Sequence, residues 1–198
     1  MDDRLDPQRT ALLVIDMQRN AFEADDPRAR LVRESGIAER LAELIPAARA
    51  RGLLVVYVLA TRRPDGSDQV RLPIQGGLSG VGRPAEGTPD WQVIDLLRPE
   101  PSDLQVVKRR RNAFHGTDLD LLLRARGTTT LIVGGQRTTI GVEGTVRDAF
   151  DRDYAVIVLS DGCGGVPADE QDWAMRRVFP SMARVMTCAE VTALLGAR

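Results

Sequence analysis

Three polar features could carry chemistry, and each follows a run of apolar residues. Asp16 closes the run TALLVID, Lys108 lies near the end of LQVVKR, and TTIGVEGT (138–145) follows TLIVGG. A carboxylate and an ammonium group that are buried together acquire perturbed pKa values, as proton transfer requires. Considered separately, Asp16 is also typical of a carboxylate in a turn. Lys108 begins the run KRRR, which is also typical of a basic surface in contact with solvent.

The apolar runs alternate with stretches of helical spacing. Five runs predict strands at 10–16, 53–60, 104–109, 130–135 and 155–161, and ARVMTCAEVTALL adds a sixth strand and a last helix. Helices are predicted within 31–52, 117–127, 139–153 and 169–179. Strands that are apolar throughout and separated by helices predict an α/β sandwich with a mostly parallel sheet. We expect one domain over 1–198, with a Gly/Pro-rich loop at 62–90.

Composition excludes several classes of function. The 27 basic and 28 acidic residues are interspersed, so nothing favours nucleic acid or an anionic membrane surface. No apolar run reaches the roughly 18 to 20 residues of a membrane span, and the polar start MDDRLDPQRT favours the cytoplasm. The single histidine, His115, excludes sites that need two imidazoles, and Cys163 and Cys188 lack metal-type spacing.

Three segments in order, VIDMQRNAF, VVKRRRNAFHGTDLDLLLRARG and LIVGGQRTTIGVEGTVRDAFDRDYAVIVLSD, resemble the isochorismatase-like hydrolase superfamily. The similarity covers most of the chain and fails across 62–100. It implies a three-layer α/β/α sandwich around a six-stranded, Rossmann-like parallel sheet, a small-molecule substrate, and a homo-oligomer (dimer or larger). Zinc-binding amidase members carry histidines after the second strand, where LATRRPDGSDQ has none, so we expect no metal and no cofactor.

The resemblance matches the family's catalytic aspartate to Asp16 and its lysine to Lys108. Amidase members carry a cysteine nucleophile in a pattern like TxxCVxxT, which aligns with TTIGVEGT and places Gly141 at the nucleophile position. Glycine cannot form a thioester, and neither Cys163 nor Cys188 lies at the aligned position. The cysteine mechanism therefore fails here unless another group substitutes.

Isochorismatases of this superfamily also carry glycine there, and their reaction needs no nucleophilic side chain. An acid protonates the methylene carbon of a vinyl ether, water adds, and the hemiketal collapses to pyruvate and an alcohol. We expect Asp16 to be that acid, Lys108 to hold the substrate carboxylate, and Gly141 to leave room for the enolpyruvyl group. Two alternatives stay open: amide or C–N hydrolysis by water that Asp16 activates, and a non-catalytic binding or assembly subunit.

Further contacts to an anionic substrate are expected beside this centre. The turn after the fourth strand supplies a cation and the N–H groups of a helix start. Phe114 is as consistent with an apolar wall of the site as with a position in the core. Arg109 and Arg110 are more consistent with the protein surface than with the site. The expected substrate-binding residues are thus Arg137, Thr138, Thr139, Ile140 and Phe114.

Overall fold

The computed structural model describes residues 5–69, 71–75, 77–78 and 82–196. The strands within these ranges are β1 Thr10–Ile15, β2 Leu54–Ala60, β3 Pro73–Ile74, β4 Gly77–Leu78, β5 Leu104–Lys108, β6 Thr130–Gln136, β7 Ala155–Gly164 and β8 Arg184–Met186. The α-helices are α1 Arg19–Phe22, α2 Pro27–Glu34, α3 Ile37–Ala50, α4 Leu119–Ala125, α5 Glu143–Asp151, α6 Ala168–Trp173 and α7 Cys188–Gly196.

Six of these strands form one parallel sheet in the order β5-β2-β1-β6-β7-β8. All six residues of β1 are buried, because β2 and β6 flank this strand and both faces of the sheet are covered. The chain leaves β1 toward β2 on one side and later reaches β6 on the other. Such a reversal opens a crevice at the carboxyl ends of the two diverging strands, here β1 and β6.

Helices cover the two faces of the sheet. Among the helices between strands, α3 contacts β2, β6 and β7, and α5 contacts β7. The last helix, α7, packs against α3. The predicted three-layer α/β/α sandwich with a six-stranded parallel sheet is confirmed. None of the helices in the described part of the chain combines the length and apolarity that crossing a membrane requires.

Several predicted boundaries are wrong for local reasons. The helix predicted within 31–52 is interrupted at Gly36, whose left-handed φ of 70° separates α2 from α3. The helix predicted at 169–179 is α6 followed by a π-helical turn, Ala174–Val178, and a 3-10 turn that contains Pro180. Within 62–90, β3 and β4 form a short antiparallel pair that the sequence pattern did not indicate.

The ends of β1 and β6 approach each other closely at Gly135. An ideal Cβ on Gly135 would lie 2.1 Å from the carbonyl oxygen of Ile15, and the φ of Gly135 is +120°. Only glycine fits both the distance and the backbone conformation. This contact brings the turn after β6 next to the residue that follows β1.

We predict that Gly135→Ala destabilises the fold by about 3 kcal/mol or more. Backbone strain contributes about 1 to 3 kcal/mol and overpacking a similar amount. The matched control is Gly127→Ala, which has a positive φ of 67° but no atom within 4 Å of the new Cβ. Backbone strain alone should lower the free energy of unfolding of this control by about 1 to 2 kcal/mol. Urea unfolding measures both losses, and equal losses would contradict the packing argument.

Candidate active site

A buried ion pair lies at the carboxyl ends of the strands. Lys108 is the last residue of β5, and its Nζ lies 2.9 Å from Oδ2 of Asp16 and donates to the carbonyl oxygen of Arg111 at 2.7 Å. The side chain of Lys108 is 1% exposed and that of Asp16 is 21% exposed. Both side chains line the cavity at this edge of the sheet, and that of Asp16 is the more exposed of the two.

The backbone of Asp16 is held in an uncommon conformation. Its φ is +54°, in the left-handed region that non-glycine residues rarely occupy. Its N–H donates to the carbonyl oxygen of Val58 at 2.9 Å, and its carbonyl oxygen accepts a hydrogen bond from the side-chain amide of Gln136. Such conformations persist where the surrounding contacts enforce them, and they cluster at functional sites.

The surroundings of Asp16 act on its pKa in opposite directions, and burial has the larger effect. Burial raises the pKa of the Asp16 carboxyl above its ordinary value, while Lys108 and then Arg83 pull the pKa the other way. Among the described residues, Oδ1 of Asp16 has no hydrogen-bond partner, since the nearby N–H of Ala60 donates instead to Oε1 of Gln18 at 2.8 Å. A carboxyl group with a raised pKa can exchange a proton nearer neutral pH than an ordinary aspartate can.

Gly141 lies directly against this pair. It belongs to a π-helical turn, Thr138–Val142, that connects β6 to α5. An ideal Cβ on Gly141 would lie 3.2 Å from Oδ2 of Asp16 and 3.4 Å from Nζ of Lys108. Any side chain at position 141 would therefore press against both charged groups, and glycine avoids this contact.

The turn that carries Gly141 is held in place by a hydrogen bond from Thr145. The buried hydroxyl of Thr145 donates to the carbonyl oxygen of Gly141 at 2.7 Å and accepts from the N–H of Ala113 at 3.1 Å. One hydroxyl thereby joins α5, the Gly141 turn and the segment after β5. The spacing between Gly141 and the Asp16–Lys108 pair is consequently fixed by packing and hydrogen bonds on several elements.

A cavity of about 240 Å³ opens above Asp16, Lys108 and Gly141. Its wall carries carboxylates only from Asp16 and Asp26, and none of the lining arginines forms an ion pair with a carboxylate of the described residues. Such a surplus of positive charge favours an anionic ligand. The lining arginines are Arg28, Arg83, Arg110, Arg111 and Arg137.

The structure brings five of the residues expected from the sequence to this cavity, namely Asp16, Lys108, Arg137, Ile140 and Gly141. Burial and the repulsion of other arginines lower the pKa of the Arg137 guanidinium below its ordinary value. Its charge nevertheless remains, because the guanidinium group stays protonated in proteins.

Two neighbouring residues in the turn are directed elsewhere. The hydroxyl of Thr138 donates to Oε1 of Gln171 at 2.6 Å, and that of Thr139 donates to Oε2 of Glu170 at 3.0 Å. These bonds anchor the turn to α6, so neither side chain lines the cavity. The expected N–H groups are also partly engaged, since the N–H groups at 140 and 142 both donate to the carbonyl oxygen of residue 137.

The interpretation of Phe114 as a wall of the site is corrected. Phe114 is 4% exposed, and its ring stacks on that of Tyr154 with 6.0 Å between centroids. The guanidinium of Arg152 covers the ring of Phe114 at 5.1 Å. Phe114 therefore belongs to the hydrophobic core and does not line the cavity.

Other cavity residues were not identified from the sequence. Arg110 lines the cavity although its position suggested the surface, whereas Arg109 forms ion pairs with Asp68 and Glu86 at 2.7 and 2.6 Å. Arg83 comes from the Gly/Pro-rich loop, where no periodicity indicates a direction. The run of basic residues at the end of the predicted strand 104–109 was the one sequence feature that indicated a positively charged site.

Gln18 also lines the cavity and was not identified from the sequence. It is 1% exposed, and its side-chain amide bonds both backbone groups of Ala60 and the carbonyl oxygen of Trp91. It thereby ties the end of β2 to the wall of the cavity. In the described residues, no group of three or more His, Cys, Asp or Glu side chains is placed to hold a metal ion.

Comparisons with known proteins agree with this geometry. The profile of the Isochorismatase domain family matches residues 10–190. The uncharacterized isochorismatase family protein YecD of Escherichia coli O157:H7 is 30% identical over 190 residues, covering 94% of this chain and 96% of that protein. The ureidoacrylate amidohydrolase RutB of Methylorubrum extorquens is 35% identical over 211 residues, covering 96% and 84%. A crystal structure of a cysteine hydrolase from Pseudomonas syringae pv. phaseolicola shares 33% identity and superposes with a TM-score of 0.87, covering 98% and 95%.

We predict that Gly141→Cys creates a reactive thiol. The adjacent ammonium group of Lys108 favours the thiolate, so iodoacetamide should alkylate this cysteine faster than either native one. Cys163 and Cys188 are buried, and burial raises the pKa of the Cys163 thiol to about 12. Mass spectrometry of alkylated peptides against time measures the three rates.

The matched control is Gly144→Cys, in α5 on the same segment. The atom nearest to its ideal Cβ is Cβ of Asn112 at 4.0 Å, so this thiol has neither charged neighbour of position 141. Equal alkylation rates at positions 141 and 144 would contradict the expected activation.

Proposed function

The chain belongs to the isochorismatase family of hydrolases, and we propose that it hydrolyses a small anionic enol ether, isochorismate or a related compound, without a cysteine nucleophile. The observation that carries this proposal is that Gly141 leaves the Asp16–Lys108 pair accessible from the cavity, since an ideal Cβ at position 141 would already lie 3.2 Å from Oδ2 of Asp16. With no side chain at position 141, a substrate in the cavity can approach Asp16, whose carboxyl has a raised pKa.

Each proposed step uses a group at the cavity. Neutral Asp16 donates its proton to the methylene carbon of the vinyl ether, which leaves an oxocarbenium ion and the Asp16 carboxylate. Water adds to the cation, and its surplus proton returns to Asp16. The hemiketal then collapses to pyruvate and an alcohol. The reaction consumes one water molecule and regenerates the protonated form of Asp16.

Lys108 acts on Asp16 in this proposal. An ammonium group has three N–H donors, and two of them are directed at Asp16 and at the carbonyl oxygen of Arg111. Lys108 therefore stabilises the carboxylate that forms after proton transfer, and one N–H remains for a substrate carboxylate. The arginines of the cavity supply the remaining charge for the anion, with Arg137 next to the Gly141 turn.

Hydrolysis of a C–N bond is the second candidate, because a relative at 35% identity is named ureidoacrylate amidohydrolase. In that reaction ionised Asp16 takes a proton from water that occupies the space beside Gly141. The two candidates require opposite protonation states of the same carboxyl group. They also release different products, pyruvate from an enol ether and ammonia or a carbamate from a C–N substrate.

We predict that Asp16→Asn lowers kcat by at least about a hundredfold, the usual contribution of a general acid or base. Pyruvate release from a panel of enol ethers, and ammonia release from amides and ureido acids, measure the activity. Asp153→Asn is the matched control, since Asp153 also has a positive φ, of 64°, but lies outside the cavity. Unchanged turnover in Asp16→Asn with retained folding would contradict both candidates.

The pH profile separates the two candidates. If Asp16 is the acid, its protonated form is active, so kcat falls as pH rises through the pKa of Asp16 in the complex. Because burial raises this pKa, the fall should lie at higher pH than for an ordinary aspartate. Stopped assays across the pH range measure the profile. A kcat that rises through the same pKa would instead support Asp16 as a base and C–N hydrolysis.

A further inference from the structure

The charges that face Asp16 come from several elements, and they differ in how firmly they are held. Lys108 at the end of β5 is buried and bound to Asp16 itself. The other cations lie in the cavity wall without an ion-pair partner among the described residues. They are Arg83 from the loop before β5, Arg110 and Arg111 after β5, Arg137 after β6 and Arg28 in α2, and among the described residues Asp26 is the one further carboxylate of the wall.

Arg83 stands out within this set. It lines the same cavity as Asp16, and its positive charge favours the ionised form of Asp16. Its guanidinium donates to the carbonyl oxygen of Arg109, a neutral partner that leaves its charge unbalanced. Burial, followed by the repulsion of Arg110, lowers the pKa of Arg83 below its ordinary value. An anion entering the cavity would relieve this repulsion by pairing with Arg83.

We propose that Arg83 couples anion binding to proton uptake at Asp16. When the anionic group of a substrate pairs with Arg83, Asp16 loses part of the attraction that favours its carboxylate form and takes one proton from the solvent. Arg83 is then a positioning residue that acts through Asp16. The inference rests on the proposed role of Asp16 as the acid, because it explains how that acid is loaded when substrate is present.

Two effects of binding act in the same direction. The anion neutralises Arg83, and it brings a negative charge close to Asp16, and both disfavour a second negative charge. Lys108 cannot move to compensate, because its Nζ already bonds Asp16 and the carbonyl oxygen of Arg111. An anion that pairs with Arg137 contributes likewise, since Arg137 also interacts with Asp16. Removing Arg83 should therefore reduce the coupling and leave part of it.

A consequence for substrate selection follows from this coupling. A neutral analogue of the same shape would fill the cavity without pairing with the arginines. Asp16 would then keep the attraction of Arg83 and gain no proton on binding. The site would discriminate against uncharged compounds through the protonation of its acid as well as through affinity.

Calorimetric titration with pyruvate tests the coupling without any turnover. The titrations are run from pH 6 to 9 in low-chloride cationic buffers with different heats of ionisation, so that the number of protons taken up per pyruvate can be extracted. We expect uptake that approaches one proton in the pH range between the pKa values of Asp16 in the free and bound protein. In that range the Kd should rise by up to about tenfold per pH unit. Pyruvamide, the neutral isostere, should show no uptake.

Variants identify the residues responsible. Asp16→Asn should bind pyruvate without proton uptake, Arg83→Gln should take up less than half of the wild-type number, and Arg83→Lys should retain most of it. Arg63→Gln is the matched control, because Arg63 is an exposed arginine of the same loop that pairs with Asp65. Its uptake should equal that of the wild type.

The outcomes are distinguishable from those of the proposed function. Absence of pyruvate binding, binding without proton uptake, or full uptake in Arg83→Gln each overturns the coupling, even if enol ethers are hydrolysed. Conversely, proton uptake that depends on Asp16 and Arg83 supports the coupling, and failure to hydrolyse any enol ether would then count against the proposed reaction alone.

Discussion

The ion pair of Asp16 and Lys108 is the interaction on which the architecture of the site depends. Removing an ammonium group and a carboxylate from water costs several kcal/mol per ion, and only accurate geometry with further hydrogen bonds offsets that cost. Asp16 follows β1 and Lys108 ends β5, and these two strands are not neighbours, since β2 lies between them. The strand order, the carbonyl oxygen of Arg111 and the amide of Gln136 together hold the pair at 2.9 Å.

Position 141 shows how one missing side chain changes what this pair can do. A cysteine there would lie in contact with both charges, as expected for a nucleophile activated by its neighbours. Glycine places no side chain of residue 141 between this pair and the cavity, and the carboxyl of Asp16 has a raised pKa. The turn itself remains well fixed through Thr145. Hydrogen bonds thus keep the backbone of residue 141 next to the Asp16–Lys108 pair, although glycine supplies no side chain there.

The unbalanced positive charge of the cavity wall is a second constraint on the structure. Arginines from separate segments converge with little carboxylate among the described residues to compensate them, and such repulsion opposes compact folding. An anionic ligand would relieve this repulsion, and the same charges influence the protonation of Asp16. Under the proposed coupling, anion binding and the protonation of Asp16 therefore depend on the same charges, namely Lys108 and the arginines that a ligand can neutralise.

The sequence by itself determined the layers of the fold and the centre of the site. Buried parallel strands produce continuous apolar runs, and their carboxyl ends meet at one edge, so Asp16, Lys108 and the segment before Gly141 could be placed together from local patterns. Only the tertiary structure decided which neighbours face the cavity. Phe114 turns into the core, Thr138 and Thr139 bond α6, and Arg83 arrives from a loop without periodicity. The direction of such side chains is set by packing and hydrogen bonds to residues distant in sequence, which no local pattern records.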